Sequence, residues 1–473
     1  RVRLNPRLYH AREGVEDRLT KLPLGLGRRI ERLGPEIKSA IKAYWAPGLF
    51  FEELDLAYMG VIDGHDVHAL REALEEAFAA DRPVVVHIHT VKGKGFAPAE
   101  EGGLEGMEKW HAAKPNSIVN GEPAAAKPVG VQESDAPRAI APERLEKPPP
   151  ADAPPQYTQV FGEAMVAEAQ RDERVIGITA AMAGGTGLQK LADEVPRQYY
   201  DVGIAEQNAV LLASGLAIQG AKPVCAIYST FLQRAYDQII HDVCLQELDV
   251  TFVMDRAGLV GDDGPTHHGA FDVSYLRPIP NLVLMAPRDE AMLIHMLRTA
   301  IAHDGPAALR YPRGAAEGVE LPPCGEEIPI GSGEVLAEGE RVALIGYGYG
   351  VAVALDAARV LSGHGLDPTV ADARFAKPLD AELAERLARE HELVVTIEEN
   401  ALPGGFGAAV LEQAEDAFAE RPGERARIMR VGLPDRYVTH GKPTLLRAEV
   451  GLTGESVAER VLAAIRSAEP ALG

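Results

Sequence analysis

The chain has 473 residues, of which 46% are apolar and 25% charged, and its formal net charge is −22. This length predicts two to four domains, and the composition is that of an ordinary soluble globular protein. The 70 acidic side chains against 48 basic ones disfavour a nucleic-acid partner, and no apolar run in the sequence reaches the roughly 20 residues of a membrane span. Three cysteines without metal-binding spacing predict reduced thiols in the cytoplasm.

The first 112 residues are predicted to be mainly helical, with one clear strand. The run PVVVHIHTV, residues 83–91, is of the apolar type that is buried in a parallel sheet. It continues into VKGKGF, in which Lys94 and its neighbouring glycines favour close approach of the backbone to an anion. Residues 113–156 are rich in proline and alanine, which predicts an extended linker.

Two α/β units are predicted after the linker. In the first, residues 157–320, short strands alternate with helical segments, which indicates a parallel sheet with crossover helices. In the second, residues 328–473, the strand RVALIGYG leads into GYGYG, residues 346–350. That run has part of a dinucleotide-loop pattern but not its full spacing, so a tight strand-to-helix turn is the alternative.

The segment AIYSTFLQRAYDQ, residues 226–238, begins as a strand and turns polar where the strand ends. Ligands of open α/β sheets bind at the carboxyl ends of strands. Phe231 and Arg234 are three residues apart, so one helix face can present a flat ring beside a positive charge. A core phenylalanine with a solvated arginine remains the alternative.

Glu206, in DVGIAEQNAV, stands just before the apolar helix VLLASGLAI. A glutamate at a helix start commonly compensates the helix dipole. Small and apolar neighbours favour a second interpretation, in which the carboxyl is partly desolvated and shares a proton with a ring nitrogen.

The loop DRAGLVGDDGPTHHGAFD, residues 255–272, follows the strand DVTFVMD and is dense in Gly, Asp and His. Its Asp and His residues allow a metal site, although they lack the helical His pair and the carboxylate number of common sites. A loop lining a substrate pocket is the preferred interpretation, with His267 as a proton carrier and Arg256 as an anion ligand.

RYPRG, residues 310–314, places Arg313 between a proline and a glycine after another strand. A fixed guanidinium at this position matches a phosphate or carboxylate in bidentate fashion, and a surface ion pair is the alternative.

Together these motifs resemble the 1-deoxy-D-xylulose-5-phosphate synthase family, thiamine-diphosphate enzymes related to transketolase. The resemblance covers about residues 49–454. The motifs that carry it are VIDGHDV, DVGIAEQNAV, AIYSTFLQRAYDQ, DRAGLVGDDGPTHHGAFDVSYLR, RYPRG and TIEENALPGGFG. It implies a transketolase-like fold and a homodimer. It further implies decarboxylation of pyruvate on the cofactor and addition of the two-carbon carbanion to D-glyceraldehyde 3-phosphate, which supplies isoprenoid, thiamine and pyridoxal synthesis.

The resemblance also implies roles for particular residues. Glu206 would hydrogen-bond the aminopyrimidine ring, on which Phe231 would stack. Three further groups of residues follow from the family motifs: Tyr228, Arg234, Lys94 and Phe96 near the cofactor; Arg256, Arg313, Asp263, His267 and Tyr228 at the substrate; and His111 and His267 in proton transfer.

The sequence departs from the family pattern in two respects. The family's diphosphate and Mg²⁺ motif, Gly-Asp-Gly with a downstream Asn, is absent from these residues, and Asn208 stands where the family usually has His. The chain is therefore expected to lack about the first third of the family's length, including the Mg²⁺ ligands. An omitted or cleaved N-terminus, a split gene and a cofactor-free binding relative are three explanations, of which the first is preferred. A transketolase acting on sugar phosphates is the alternative enzyme.

Overall fold

The computed structural model describes residues 51, 54–91, 93–96, 100 and 154–468. They fall into two units, residues 1–149 and 150–473, each described by itself below.

In the first unit, two parallel strands, β1 (Ala57–Asp63) and β2 (Val84–His89), are joined by helix α1 (Val67–Phe78). The side chain of Asp66 accepts hydrogen bonds from the backbone N–H groups of His68 and Ala69, which caps the first turn of α1. The predicted strand within residues 83–91 is present as β2. The sequence-based prediction missed β1, a short apolar run in which Ala57 and Tyr58 are buried and several other residues are exposed.

The second unit contains a seven-stranded sheet. Its strands are β3 (Val175–Thr179), β4 (Tyr199–Asp201), β5 (Lys222–Tyr228), β6 (Thr251–Asp255), β7 (Val283–Met285), β8 (Ala307–Arg310) and β12 (Phe375–Lys377). Their order is β12-β7-β8-β6-β5-β3-β4. All neighbouring strands are parallel except β12, which pairs antiparallel with β7. This sheet confirms the α/β class predicted from the alternating strands and helices.

The second sheet of this unit has five strands. They are β9 (Glu334–Ala337), β10 (Val342–Tyr347), β11 (Thr369–Asp372), β13 (Leu393–Ala401) and β14 (Arg427–Leu433). Their order is β14-β13-β10-β11-β9, and β9 is the one antiparallel strand. The GYGYG turn joins β10 to the next helix, and a Cβ at Gly350 would lie 2.0 Å from the carbonyl oxygen of Ile397. The glycine therefore allows close packing of the chain on β13, as a tight turn requires.

Helices cover both sheets of the second unit. The α-helices are α2 (Tyr157–Arg171), α3 (Ala183–Thr186), α4 (Leu188–Glu194), α5 (Glu206–Ile218), α6 (Ser229–Leu232), α7 (Tyr236–Gln238), α8 (Asp272–Leu276), α9 (Glu290–Ala302), α10 (Gly350–Ser362), α11 (Ala381–Glu390), α12 (Phe406–Ala417), α13 (Pro443–Glu449) and α14 (Gly454–Ala468). Short 3₁₀ turns occur at Pro196–Gln198, Gln233–Ala235, Gly264–Thr266 and Pro422–Glu424, and a π-helical turn at Ile239–Cys244. Among the described residues, no helix is both long and apolar enough to cross a membrane.

A buried ion pair fixes the end of β8. Arg310 Nε lies 2.9 Å from Asp272 Oδ2, and the side chains are 4% and 0% exposed. The Arg310 guanidinium also donates to the carbonyl oxygens of Gly269 and Glu399, at 3.3 and 3.2 Å. It therefore ties the loop after β6 to strand β13.

Replacing Asp272 by alanine is expected to lower the free energy of unfolding by about 3 to 5 kcal/mol, because Arg310 would keep a buried charge without its counter-ion. Denaturant titration followed by circular dichroism measures the change. The exposed pair Arg436–Glu449, at 2.7 Å, is the control, and Glu449→Ala should cost less than about 1 kcal/mol. Equal effects of the two substitutions would contradict this assignment.

Candidate active site

The carboxyl ends of β5, β6 and β8, which are neighbours in the seven-stranded sheet, bring the predicted site residues together. Tyr228 is the last residue of β5, Arg256 follows β6, and Arg313 follows β8. Because β5, β6 and β8 are parallel, their carboxyl ends lie on one edge of the sheet.

Three aromatic rings pack against one another along this edge. Tyr228 and Phe231 are stacked with centroids 5.8 Å apart and planes 20° apart, and His267 meets Phe231 edge-on at 5.3 Å. The guanidinium of Arg234 lies 5.5 Å from the centroid of Phe231. The predicted placement of Phe231 and Arg234 on one face is therefore present, although α6 gives way to a 3₁₀ turn between them.

Glu206 is the first residue of α5 and is 2% exposed. Its Oε1 accepts a hydrogen bond from Arg234 Nη1 at 3.0 Å, whereas Oε2 has no protein donor within the described ranges. The pairing of Glu206 with Arg234 was not predicted from the sequence. Arg234, which holds this carboxylate at one oxygen, also lies over the ring of Phe231. A buried carboxylate that is open at its other oxygen suits a flat heterocycle with a hydrogen-bonding nitrogen.

Arg256 is held on several sides. Its guanidinium carbon lies 3.7 Å from the ring centroid of Tyr228, and Nη1 donates to the carbonyl oxygen of Gly185 at 2.6 Å. The backbone has a φ of +63°, a conformation that costs a non-glycine residue about 1 to 3 kcal/mol. Nε and Nη2 have no protein acceptor among the described residues, which leaves one edge of the guanidinium for an anion.

Asp255, which was not predicted as a site residue, forms a buried ion pair with Arg256. It is fully buried, its Oδ2 accepts a hydrogen bond from Thr158 Oγ1 at 2.8 Å, and its Oδ1 lies 3.2 Å from Arg256 Nη1. Burial raises the pKa of Asp255 to about 6, and the charge of Arg256 opposes that rise. Only its position as the last residue of β6 could have indicated this role.

Arg313 and Asp263, both predicted to bind substrate, contact each other. Arg313 Nη1 lies 2.5 Å from Asp263 Oδ2, with side chains 40% and 35% exposed. Arg313 therefore forms an ion pair in this structure, which was the alternative interpretation. Its partner, Asp263, is itself a predicted site residue. The planar fork of Arg313 carries further N–H donors beside the one that Asp263 occupies.

The two adjacent histidines have different environments. His267 lies against Phe231, and its Nδ1 is 2.9 Å from Thr266 Oγ1. Burial lowers the pKa of His267, and Asp263 opposes that shift, so burial favours the neutral imidazole. His268 is 5% exposed, with both nitrogens hydrogen-bonded to backbone. The sequence could not distinguish the two. Within the described ranges, no group of three or more His, Cys, Asp or Glu residues could hold a metal ion.

The remaining predicted site residues lie in the first unit. Lys94 and Phe96 belong to the turn after β2, where Lys94 Nζ lies 3.2 Å from Glu100 Oε1 and the Phe96 N–H donates to the carbonyl oxygen of Gly93 at 3.0 Å. His111 lies outside the described residues.

The fold and the sequence comparisons define a transketolase-type enzyme of a thiamine-diphosphate-dependent family. The sequence profiles named "Transketolase, pyrimidine binding domain" and "Transketolase, C-terminal domain" match residues 153–318 and 331–457. A third profile, named 1-deoxy-D-xylulose-5-phosphate synthase, matches residues 1–90. The chain belongs to the 1-deoxy-D-xylulose-5-phosphate synthase family and is a transferase, which confirms the resemblance inferred from its motifs.

Curated relatives support this assignment. A 1-deoxy-D-xylulose-5-phosphate synthase from Pelotomaculum thermopropionicum is 46% identical over 98% of this chain and 67% of its own length. The protein named 1-deoxy-D-xylulose-5-phosphate synthase 1 from Geobacter sulfurreducens is 46% identical over 97% of this chain and 67% of its own length. The chain thus spans about two thirds of the length of these relatives.

Solved structures show the same fold. A structure titled "Split gene transketolase, inactive beta4 tetramer" is similar to 66% of this chain and 98% of its own, with a TM-score of 0.57 and 29% identity. A Campylobacter jejuni transketolase covers 88% of this chain and 68% of its own, with a TM-score of 0.54 and 15% identity.

Proposed function

We propose that this chain catalyses the condensation of pyruvate with D-glyceraldehyde 3-phosphate to 1-deoxy-D-xylulose 5-phosphate and CO₂. One observation carries the proposal: the buried carboxylate of Glu206 lies beside the aromatic and arginine-lined edge of the seven-stranded sheet. Relatives named for this synthase are 43–47% identical to the chain over nearly its whole length, whereas the similar transketolase structures are 15–29% identical. The transketolase and non-catalytic alternatives are therefore not favoured.

Thiamine diphosphate, when bound, supplies the electron sink for loss of CO₂ from pyruvate. Glu206 would hydrogen-bond a pyrimidine nitrogen through Oε2, which has no protein donor among the described residues. Arg234 orients that carboxylate by holding Oε1 at 3.0 Å, and Phe231 would stack on the pyrimidine ring. Lys94 and Phe96 are proposed to lie near the cofactor because they match the family segment.

The substrate side is assigned to residues of the same sheet edge. Arg256 and Arg313 would bind the phosphate of the aldehyde, and Tyr228 would form the wall on which Arg256 is stacked. Asp263 would border the channel, where it already holds Arg313. His267 would move a proton at the aldehyde oxygen through Nε2, since Nδ1 faces Thr266. We assign a second proton-transfer role to His111 from its family motif.

The described residues do not fit a magnesium site, and they contain no group of ligands for one. We therefore assign Mg²⁺ and the diphosphate to residues other than the described ones. The proposed domain boundaries remain 1–112, 113–156, 157–320 and 328–473.

A homodimer is proposed from exposed apolar side chains on and near α5. Leu211 and Ile218 of this helix are 47% and 56% exposed, Ile204 just before it 81%, and Leu245 72%. A helix that is apolar on all sides is usually covered on all sides, and a second copy of the chain would cover this one. The cytoplasm is proposed because all three cysteines are unpaired.

The test is a turnover assay. The purified chain is mixed with thiamine diphosphate, Mg²⁺, pyruvate and D-glyceraldehyde 3-phosphate, and CO₂ and the pentulose product are quantified. A second reaction adds a separately produced N-terminal segment carrying the Gly-Asp-Gly motif from a relative. We expect product in at least the second reaction, and loss of product when EDTA removes the metal.

The outcomes of these reactions decide between the candidate functions. Product in either reaction supports the synthase. Absence of product in both reactions overturns it, and turnover of xylulose 5-phosphate with ribose 5-phosphate instead would establish the transketolase alternative. Activity that appears only after the N-terminal segment is added would show that residues 1–473 need a diphosphate-binding segment from outside this sequence for turnover.

A further inference from the structure

The loop of residues 257–269, which carries Asp263 and His267, is attached to the C-terminal part of the second unit at several points. The N–H of Gly441 donates to the carbonyl oxygen of Gly261 at 3.2 Å, and His268 Nε2 lies 3.2 Å from the carbonyl oxygen of Thr439. These contacts join segments that are more than 170 residues apart in the sequence.

His268 is the most specific of these links. Its Nδ1 accepts the backbone N–H of Val260 at 3.0 Å, so Nδ1 carries a lone pair and Nε2 carries the proton of the neutral ring. Nε2–H therefore donates to Thr439. The buried imidazole of His268, near the end of the loop, is thus bonded to Val260 near its beginning and to Thr439, which precedes α13.

A fixed carboxylate limits the loop on another side. Gly258 has a φ of +76°, and a Cβ there would lie 2.4 Å from Glu399 Oε2. Glu399 accepts from Arg447 Nε at 2.8 Å and from Nη2 at 3.3 Å, and the Arg447 guanidinium carbon lies 3.7 Å from the ring centroid of Tyr349. Strand β13 thus forms a rigid surface directly against the loop.

The position of His268 is transmitted to His267 through a shared turn. The backbone N–H groups of both histidines donate to the carbonyl oxygen of Gly264, at 3.0 and 3.2 Å, and Asp263 immediately precedes this turn. A cavity lined by Leu259, Phe271, Leu433, Tyr437 and Val438 lies beside His268. Because side-chain packing is incomplete on that side, the position of the loop depends more on the hydrogen bond from His268 to Thr439 than on side-chain contacts.

We infer that His268 is a positioning residue, through which the C-terminal part of the chain sets the placement of His267 and Asp263. The inference about loop geometry stands on the contacts above, and its consequence for substrate binding rests on the proposed function. His268 itself does not touch the substrate, because both ring nitrogens are used by backbone groups.

Two substitutions separate the two hydrogen bonds of His268. In H268Q the side chain is long enough for its amide nitrogen to take the place of Nε2 and donate to the carbonyl oxygen of Thr439. In H268N the carbonyl oxygen replaces Nδ1 and accepts from Val260, but the side chain cannot reach Thr439. We expect amide hydrogen exchange of residues 257–269 to be about fivefold to tenfold faster in H268N than in the wild type, and close to wild type in H268Q. His364→Asn, at an exposed histidine, is the control.

Kinetics supply the second measurement. In the active enzyme, H268N is expected to raise the KM for D-glyceraldehyde 3-phosphate about fivefold or more while kcat changes less, and H268Q should restore the KM. Absence of turnover by the wild type both with and without the N-terminal segment would refute the proposed function, and the exchange experiment alone would then test the role of His268. Unchanged exchange in H268N, or equal acceleration in both variants, would overturn the inference.

A measurement on the unmodified protein covers the case in which H268N fails to fold. Nitrogen NMR of histidine-labelled wild-type protein should show His268 as the neutral tautomer with the proton on Nε2 and a bare Nδ1. A proton on Nδ1 would overturn the inference without any substitution.

Discussion

Replacing Glu206 by glutamine is expected to lower kcat for CO₂ release by about 10³-fold, within the range of a lost acid–base group. The amide keeps the size of the side chain and one hydrogen bond, but it cannot exchange a proton with a ring nitrogen. The carboxylate is 2% exposed and fixed by Arg234 at 3.0 Å, so water cannot easily replace it. Initial rates at saturating thiamine diphosphate measure the effect.

A matched control is Glu163→Gln on α2, where the carboxylate is exposed and hydrogen-bonds Gln159 at 3.1 Å. That variant should keep wild-type turnover. Thermal unfolding of the Glu206 variant distinguishes a catalytic effect from a loss of folded protein. Turnover within a factor of about ten of wild type, with normal unfolding, would contradict the assignment of Glu206.

Replacing Arg256 or Arg313 by alanine is expected to raise the KM for D-glyceraldehyde 3-phosphate by about 10- to 150-fold, the value of one or two hydrogen bonds to a charged group. The KM for pyruvate should change little. Arg256→Lys is not expected to rescue the loss, because lysine lacks the planar fork that stacks on Tyr228 and still reaches Gly185. Steady-state kinetics with each substrate varied in turn measure these values.

Unphosphorylated D-glyceraldehyde tests whether the arginines act on the phosphate. If they do, its KM should be similar in the wild type and in both variants. Arg359→Ala removes an exposed arginine paired with Asp356 and serves as the control for loss of one positive charge. An equal rise in KM for both aldehydes would show that these arginines shape the pocket rather than bind the phosphate.

Much of the fold followed from local pattern. Strands such as β5 and β6 are buried along their length, and buried parallel strands form apolar runs that a sequence displays directly. β1 was missed because its burial is mixed, and a short apolar run does not by itself distinguish a strand from a helix. The short pairing of β12 with β7 depends on contacts between distant segments, which three residues cannot encode locally.

The candidate site was predictable in its residue types but not in its pairings. Position at a strand end indicated Phe231, Arg234 and Arg256, because strand ends meet at one sheet edge. Side-chain directions within a loop follow from tertiary contacts, so the sequence could not separate His267 from His268. It also could not show that Asp255 supports Arg256, since a buried aspartate at the end of an apolar strand looks the same whatever it faces.

The antiparallel pairing of β12 with β7 has a consequence for how the chain can be divided. Residues 375–377 lie within the match to the C-terminal domain, yet they complete the sheet of the pyrimidine-binding part. A fragment ending between the two matched domains would leave β7 as an open edge, a template for unwanted pairing with other chains. It would also leave the guanidinium of Arg288 without Asp372, its partner at 3.0 Å. The two domains are therefore expected to be produced and engineered as one unit.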